Sequence, residues 1–229
     1  MGRLRVGALA AALLLVCANS SLAGPQDGLI PLKEYTSAKA KELAIAHQAQ
    51  LLRLSEYIYH CLPWLGVVKN GIGFPHPKGA DGDDRYLSVW VNIDQNEDPR
   101  FGALAPSARA SAMFSRYGVF LLRRMTEFND IAADTNVQGF SVVLSWLKPG
   151  SLDNGPRPVM ETLALFVDKP SLDDFLAQRI KASDFTERAK YNLFDGKTPV
   201  GRVPLDVWED NFNSTFKLKN YEVEKGQHC

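Results

Sequence analysis

Residues 86–93 read YLSVWVNI. In an extended chain Leu87, Val89, Val91 and Ile93 fall on one side, and Tyr86, Ser88, Trp90 and Asn92 on the other. Side chains alternate across a strand with a period of two, so this is a strand with one face turned to a core. The pattern recurs in GFSVVLSWLKP, residues 139–149, where Phe140, Val142, Leu144 and Trp146 align. It recurs again in VMETLALFVD, residues 159–168, where Val159, Leu163, Leu165 and Val167 align. The intervening GSLDNGPR is long for a tight hairpin but suits an antiparallel pair. A doubly wound parallel sheet buries both faces of its strands and would be apolar on both. These strands are not.

Between the strands the apolar period changes to that of a helix. From Leu32 to about His60, the residues Leu43, His47, Leu51, Leu54, Ile58 and Cys61 fall three or four apart and share one face. A second helix is predicted from about Ser107 to Asn129, with Ala110, Met113, Phe114, Tyr117, Phe120, Leu121 and Phe128 as its stripe. A third opens at SLDDFLAQRI, where Ser171 and Asp174 form a capping-box variant. Residues 24–31 read as a loose lead-in. Residues 69–85 and 94–106 are rich in Gly, Pro and Asp and read as loops. Short strands are expected around the Asp195-Gly196 turn and in STFKLKNYEV near the C-terminus. The fold expected is α+β: a mixed or mostly antiparallel sheet of about four or five strands packed against about three helices.

The N-terminus is MGRLRVGALAAALLLVCANSSLAG. Two arginines, an apolar run too short to span a membrane, and Ser21-Leu22-Ala23 match a secretory signal cut after Ala23. We therefore expect a signal peptide over 1–23 and one domain over 24–229, placed in the periplasm or secreted. Removal of 1–23 takes away two arginines and leaves 24 basic against 26 acidic side chains. A near-neutral balance does not suit a nucleic-acid binder, and no later run is apolar enough to span a membrane.

Cleavage removes Cys17 and leaves Cys61 and Cys229. An even count in an oxidising compartment predicts a disulfide between them. A metal site built from His60, Cys61, His228 and Cys229 is the alternative, but adjacent ligands diverge by about 100° on a helix. No metal is expected. Asp94, Asn96 and Asp98 repeat the start of a calcium loop, but Pro99 and Ala105 stand where its Gly and bidentate Glu belong. His47 reads as a core or edge histidine with one hydrogen bond, and His76, between two prolines, as an exposed loop residue.

Asp94 closes a strand, and Arg109-Ala110 follows fifteen residues later at a helix start. In this spacing the segment resembles the OmpA-like peptidoglycan-binding domain. The resemblance covers under twenty residues and departs from the family at Val91-Asn92-Ile93 and at Gly102. It implies that Asp94 and Arg109 grip a peptide stem of the cell wall. The sequence lacks G-x-S-x-G, H-E-x-x-H, P-loop and C-x-x-C signatures, so no cofactor or catalytic residue is assigned. The function expected is a non-enzymatic binding or scaffolding role in the periplasm or cell envelope, for an unidentified protein or cell-wall component. An enzyme with an unfamiliar site is the second alternative.

Overall fold

A computed structural model describes residues 24–78, 82–94, 99–151 and 158–208. Six strands form one sheet in sequence order: β1 (Leu65–Gly73), β2 (Arg85–Ile93), β3 (Val137–Leu147), β4 (Met160–Asp168), β5 (Lys190–Asp195) and β6 (Thr198–Gly201). Every neighbouring pair is antiparallel except β2 and β3, which are parallel. A parallel pair needs a long crossover. Here it is the helical stretch α3 (Pro99–Gly102), α4 (Pro106–Met113), a π-helical turn (Phe114–Gly118), α5 (Val119–Thr126) and α6 (Asn129–Ala133). The α+β architecture agrees with the sequence reading, with six strands in place of four or five.

The alternation carries through to the sheet. Leu87, Val89, Val91, Phe140, Val142, Leu144, Trp146, Leu163 and Leu165 are all fully buried. They meet the crossover helices and α2 (Gln48–Cys61), which follows α1 (Ala38–Ala46) after a break at His47. After β4 the chain forms α7 (Lys169–Leu176) and α8 (Ala182–Arg188). There Phe175 and Phe185 stack, and Phe185 in turn faces Phe114 of the π turn. Asp168, not Ser171, caps α7: its carboxylate accepts from the Ser171 backbone N–H at 2.8 Å. The cap lies three residues ahead of the Ser171 that the sequence predicts.

Two segments depart further from the sequence reading. Residues 69–73 are the second half of β1, not loop. The register with β2 jumps from Val67↔Val91 to Ile72↔Val89, so residues 68–71 bulge out opposite Trp90. Asn70 takes a positive φ of 58° in the bulge and its amide reaches Glu34. A strand interrupted by Asn-Gly reads as a turn, which is why it was missed. Residues 24–31 are not loose either. Leu29 bridges Ile72, the Ile30 N–H donates to the Ile72 carbonyl, and the buried Ser55 hydroxyl donates to the Pro25 carbonyl. The segment covers the β1 edge, which would otherwise offer unpaired backbone groups.

The opposite face of the sheet carries Ser88, Trp90, Ser141, Val143, Ser145, Thr162, Ala164 and Phe166. Trp90 is 41% exposed. Its indole N–H donates to Ser145 Oγ, which pairs in turn with Thr162. Tyr86 lies over Gly139, its register partner, and meets Phe166 edge-on. A side chain at 139 would collide with the Val167 carbonyl and the Tyr86 ring. Cross-strand contacts among these side chains contribute to the packing of this face. The predicted strand at 214–223 lies outside the described residues. Among the described residues no helix is long and apolar enough to cross a membrane.

Candidate binding cavity

The π turn decides where the candidate site forms. An α-helix continuing from Ala110, Met113, Phe114 and Tyr117 would bury Phe120, as the sequence predicts. A π turn closes i→i+5 and shifts the phase that follows. Leu121 is buried as the sequence predicts, Leu122 and Met125 join it, and Phe120 turns outward to 41% exposure. Gly118 permits the turn to pack, because a β-carbon there would overlap the Phe114 ring. Ser115 within the turn bonds back to the Ser111 carbonyl at 2.7 Å and accepts the Trp208 N–H at 2.6 Å.

The phase shift opens a cavity of about 370 Å³ between the π turn, Phe120 and the end of α2. Tyr57, Trp64, Tyr117 and Phe120 supply aromatic wall, with Leu62, Cys61 and Arg116 completing it. Its size falls in the lower range of small-ligand sites. The Arg124 guanidinium sits 3.9 Å over the Tyr57 ring, and the Arg116 guanidinium 6.0 Å over Tyr117. Two of the four rings, Tyr57 and Tyr117, are therefore already partnered by cations, which does not suit an aromatic cage for an ammonium group. Burial pushes the Tyr117 hydroxyl up to about 12, against a lowering pull from Arg116 and with a further push from Asp94. That phenol stays protonated across the physiological range. It can donate or accept a hydrogen bond but does not act as a base.

Asp94, expected at a ligand, ends β2: its backbone N–H donates to the Trp64 carbonyl, and its charge is felt by Tyr117. It is not among the residues that line the cavity. Arg109 has a different place. It is buried in α4, where its Nε donates to Glu161 Oε2 at 2.8 Å and its Nη2 to Glu161 Oε1. Its Nη1 donates to the Leu104 carbonyl, and Trp146 Nε1 donates to the same Glu161 at 2.8 Å. Desolvated, bidentate and charge-assisted, this pair ties the crossover to β3 and β4. Arg109, expected at a cell-wall peptide, is here engaged with Glu161 and the Leu104 carbonyl. Nothing in the spacing of Arg109 pointed to Glu161, 52 residues away.

Cys61 is 5% exposed and lines the cavity, while His60 beside it faces solvent. Adjacent residues on a helix point apart, so the two do not converge on one ion. Among the described residues no three metal-ligating side chains come together. Cys229 and His228 lie outside the described residues, as do Asn96 and Asp98 of the calcium-like stretch.

His47 behaves as read: it is buried against Phe74, with one hydrogen bond, from Nε2 to Asp134 at 2.9 Å. Burial pushes the Asp134 carboxyl up. The bonds from His47 and the Asn136 backbone N–H outweigh this and hold it below the ordinary carboxylate value. His76 is exposed, with Nδ1 3.0 Å from the Asp84 carbonyl. No protein-family model, curated protein or solved structure matches this chain.

Proposed function

We propose that the protein is an exported, non-enzymatic binding protein of the periplasm or cell envelope. Its ligand or partner would seat an apolar or aromatic group in the cavity beside the π turn. The observation that carries this reading is the placement of Phe120. A large apolar side chain at a predicted core position is turned outward and set among three other aromatic residues around open volume. A π turn inserted into a helix costs hydrogen-bond geometry and often marks a functional site. Arg116 and Arg124 beside the aromatic walls favour a group that is flat and neutral or anionic over a cation.

The test uses the exported protein and a Phe120→Asp variant, in a pull-down from envelope extract with a peptidoglycan fraction included. Native mass spectrometry of the same two proteins reports any small molecule that co-purifies. Wild type should retain a component that Phe120→Asp loses at least tenfold. Failure of wild type to enrich anything, or equal enrichment by both, overturns the reading.

We propose also that Cys61 pairs with Cys229. Export would leave Cys61 and Cys229 as the two cysteines of the mature chain, and Cys61 is buried at the end of α2. Pairing would close a loop worth about 5 kcal/mol in the chain-entropy model. Thiol titration of the unfolded mature protein should find no free thiol; two per chain would refute the bond.

A further inference from the structure

Gly24 begins a tightly closed turn. Its backbone N–H donates to Asp27 Oδ2 at 2.8 Å, and the Asp27 N–H returns to the Gly24 carbonyl at 2.9 Å. The residues that follow are fixed at once. Ser55, fully buried on α2, holds the Pro25 carbonyl at 2.5 Å. Gly28 is buried against Val67 and Ser55, so closely that a β-carbon would lie 2.8 Å from Val67. Leu29 and Ile30 then pair with Ile72 of β1. Four independent contacts within seven residues thus place the Gly24 nitrogen on the body of the protein, with a carboxylate against it.

The bond between Ala23 and Gly24 is the one that the signal reading cuts. Hydrolysis of that peptide bond by water leaves a carboxylate on Ala23 and an α-ammonium on Gly24. In the precursor, Asp27 accepts from a neutral amide; after cleavage the same nitrogen carries a full positive charge. Charge-assisted hydrogen bonds are stronger than neutral ones. We propose that Gly24 is the mature N-terminus and that its α-ammonium forms an ion pair with Asp27, so that processing itself tightens the strap over the β1 edge. This rests on the export reading above. It differs from it in naming a receiver for the new charge.

The cavity of about 240 Å³ that Gly24 lines also carries three ionisable residues, Asp27, Tyr59 and Lys69, of which Asp27 contacts the Gly24 nitrogen. Asp27 alone is an acid that stabilises the ammonium, and Lys69 acts against it. The net sign expected is a raised proton affinity. A group whose affinity is raised by folding stabilises the fold below its unfolded value, and this is lost as pH rises through the folded one. The contribution is present at neutral pH and fades on the alkaline side.

The experiment takes the protein recovered from the exported fraction. Intact mass should equal residues 24–229. The α-amine is then followed by ¹³C NMR after reductive methylation, in wild type and Asp27→Asn. Wild type should bind the α-amine proton about threefold more tightly than the variant, in keeping with an exposed pair. An N-terminus at Gly24 with identical titration in both proteins overturns the ion pair and leaves export standing. A mature N-terminus elsewhere, or an unprocessed chain, overturns both.

Discussion

Trp146 and Trp90 stand on opposite faces of neighbouring strands and make the same kind of bond. Each donates its indole N–H to a side chain on the sheet: Trp146 to Glu161 at 2.8 Å, Trp90 to Ser145 at 2.9 Å. Trp146 is fully buried, and the glutamate it meets is already gripped by Arg109 of the crossover. Trp90 is 41% exposed, and its serine passes the contact on only to Thr162. The same chemistry thus joins two layers on one face and, on the other, links neighbouring strands in a part-buried bond. Solvent access makes the difference: an unsatisfied polar group is costly when buried and nearly free in water.

The joint is the place to break first. Arg109→Leu leaves the Glu161 carboxylate buried without its cation and should cost about 3–5 kcal/mol, read from urea unfolding. Arg109→Leu with Glu161→Leu removes both charges and should recover most of that loss. Recovery of nothing would mean that the pair was not the source of the cost.

Next come neighbouring residues on one strand. Leu144 is fully buried on the helix face, while Val143 is only partly buried on the other. Leu144→Ala should cost about 2–5 kcal/mol, and Val143→Ala under about 1 kcal/mol. Similar losses at the two positions would erase the distinction between the faces.

The smallest effect lies at the edge. Asp134 is held below the ordinary carboxylate value, so its contribution is present above its unfolded value and lost as pH falls through the folded one. Asp134→Asn should therefore destabilise the protein at neutral pH by under about 1 kcal/mol, with the deficit vanishing in acid. A deficit that grows in acid would reverse the assignment.

The two faces were legible in the sequence because period two reports burial directly. YLSVWVNI and GFSVVLSWL state which side meets the core, and the predicted apolar row is buried throughout, although Tyr86, Ser88, Ser141 and Ser145 of the other row are buried too. β1 was not legible, since its bulge at residues 68–71 carries the composition of a turn. The site was legible only in part. Tyr117 reads correctly as core, but Phe120 reads as core too, because helical periodicity assumes an unbroken phase. Gly118 was the available signal: a glycine inside a strong helical stripe often marks a close packing contact. The Arg109–Glu161 pair had no sequence signal, because a register between α4 and β4 is set by the whole crossover.

The most direct test of the one-sided layering compares the two tryptophans under identical conditions. Urea unfolding of Trp146→Ala should show a loss of about 3–5 kcal/mol, and that of Trp90→Ala a loss of about 1 kcal/mol. Equal losses, or a larger one at Trp90, would contradict a sheet that, among the described residues, carries its helical layer and buried polar joint on the face of Trp146.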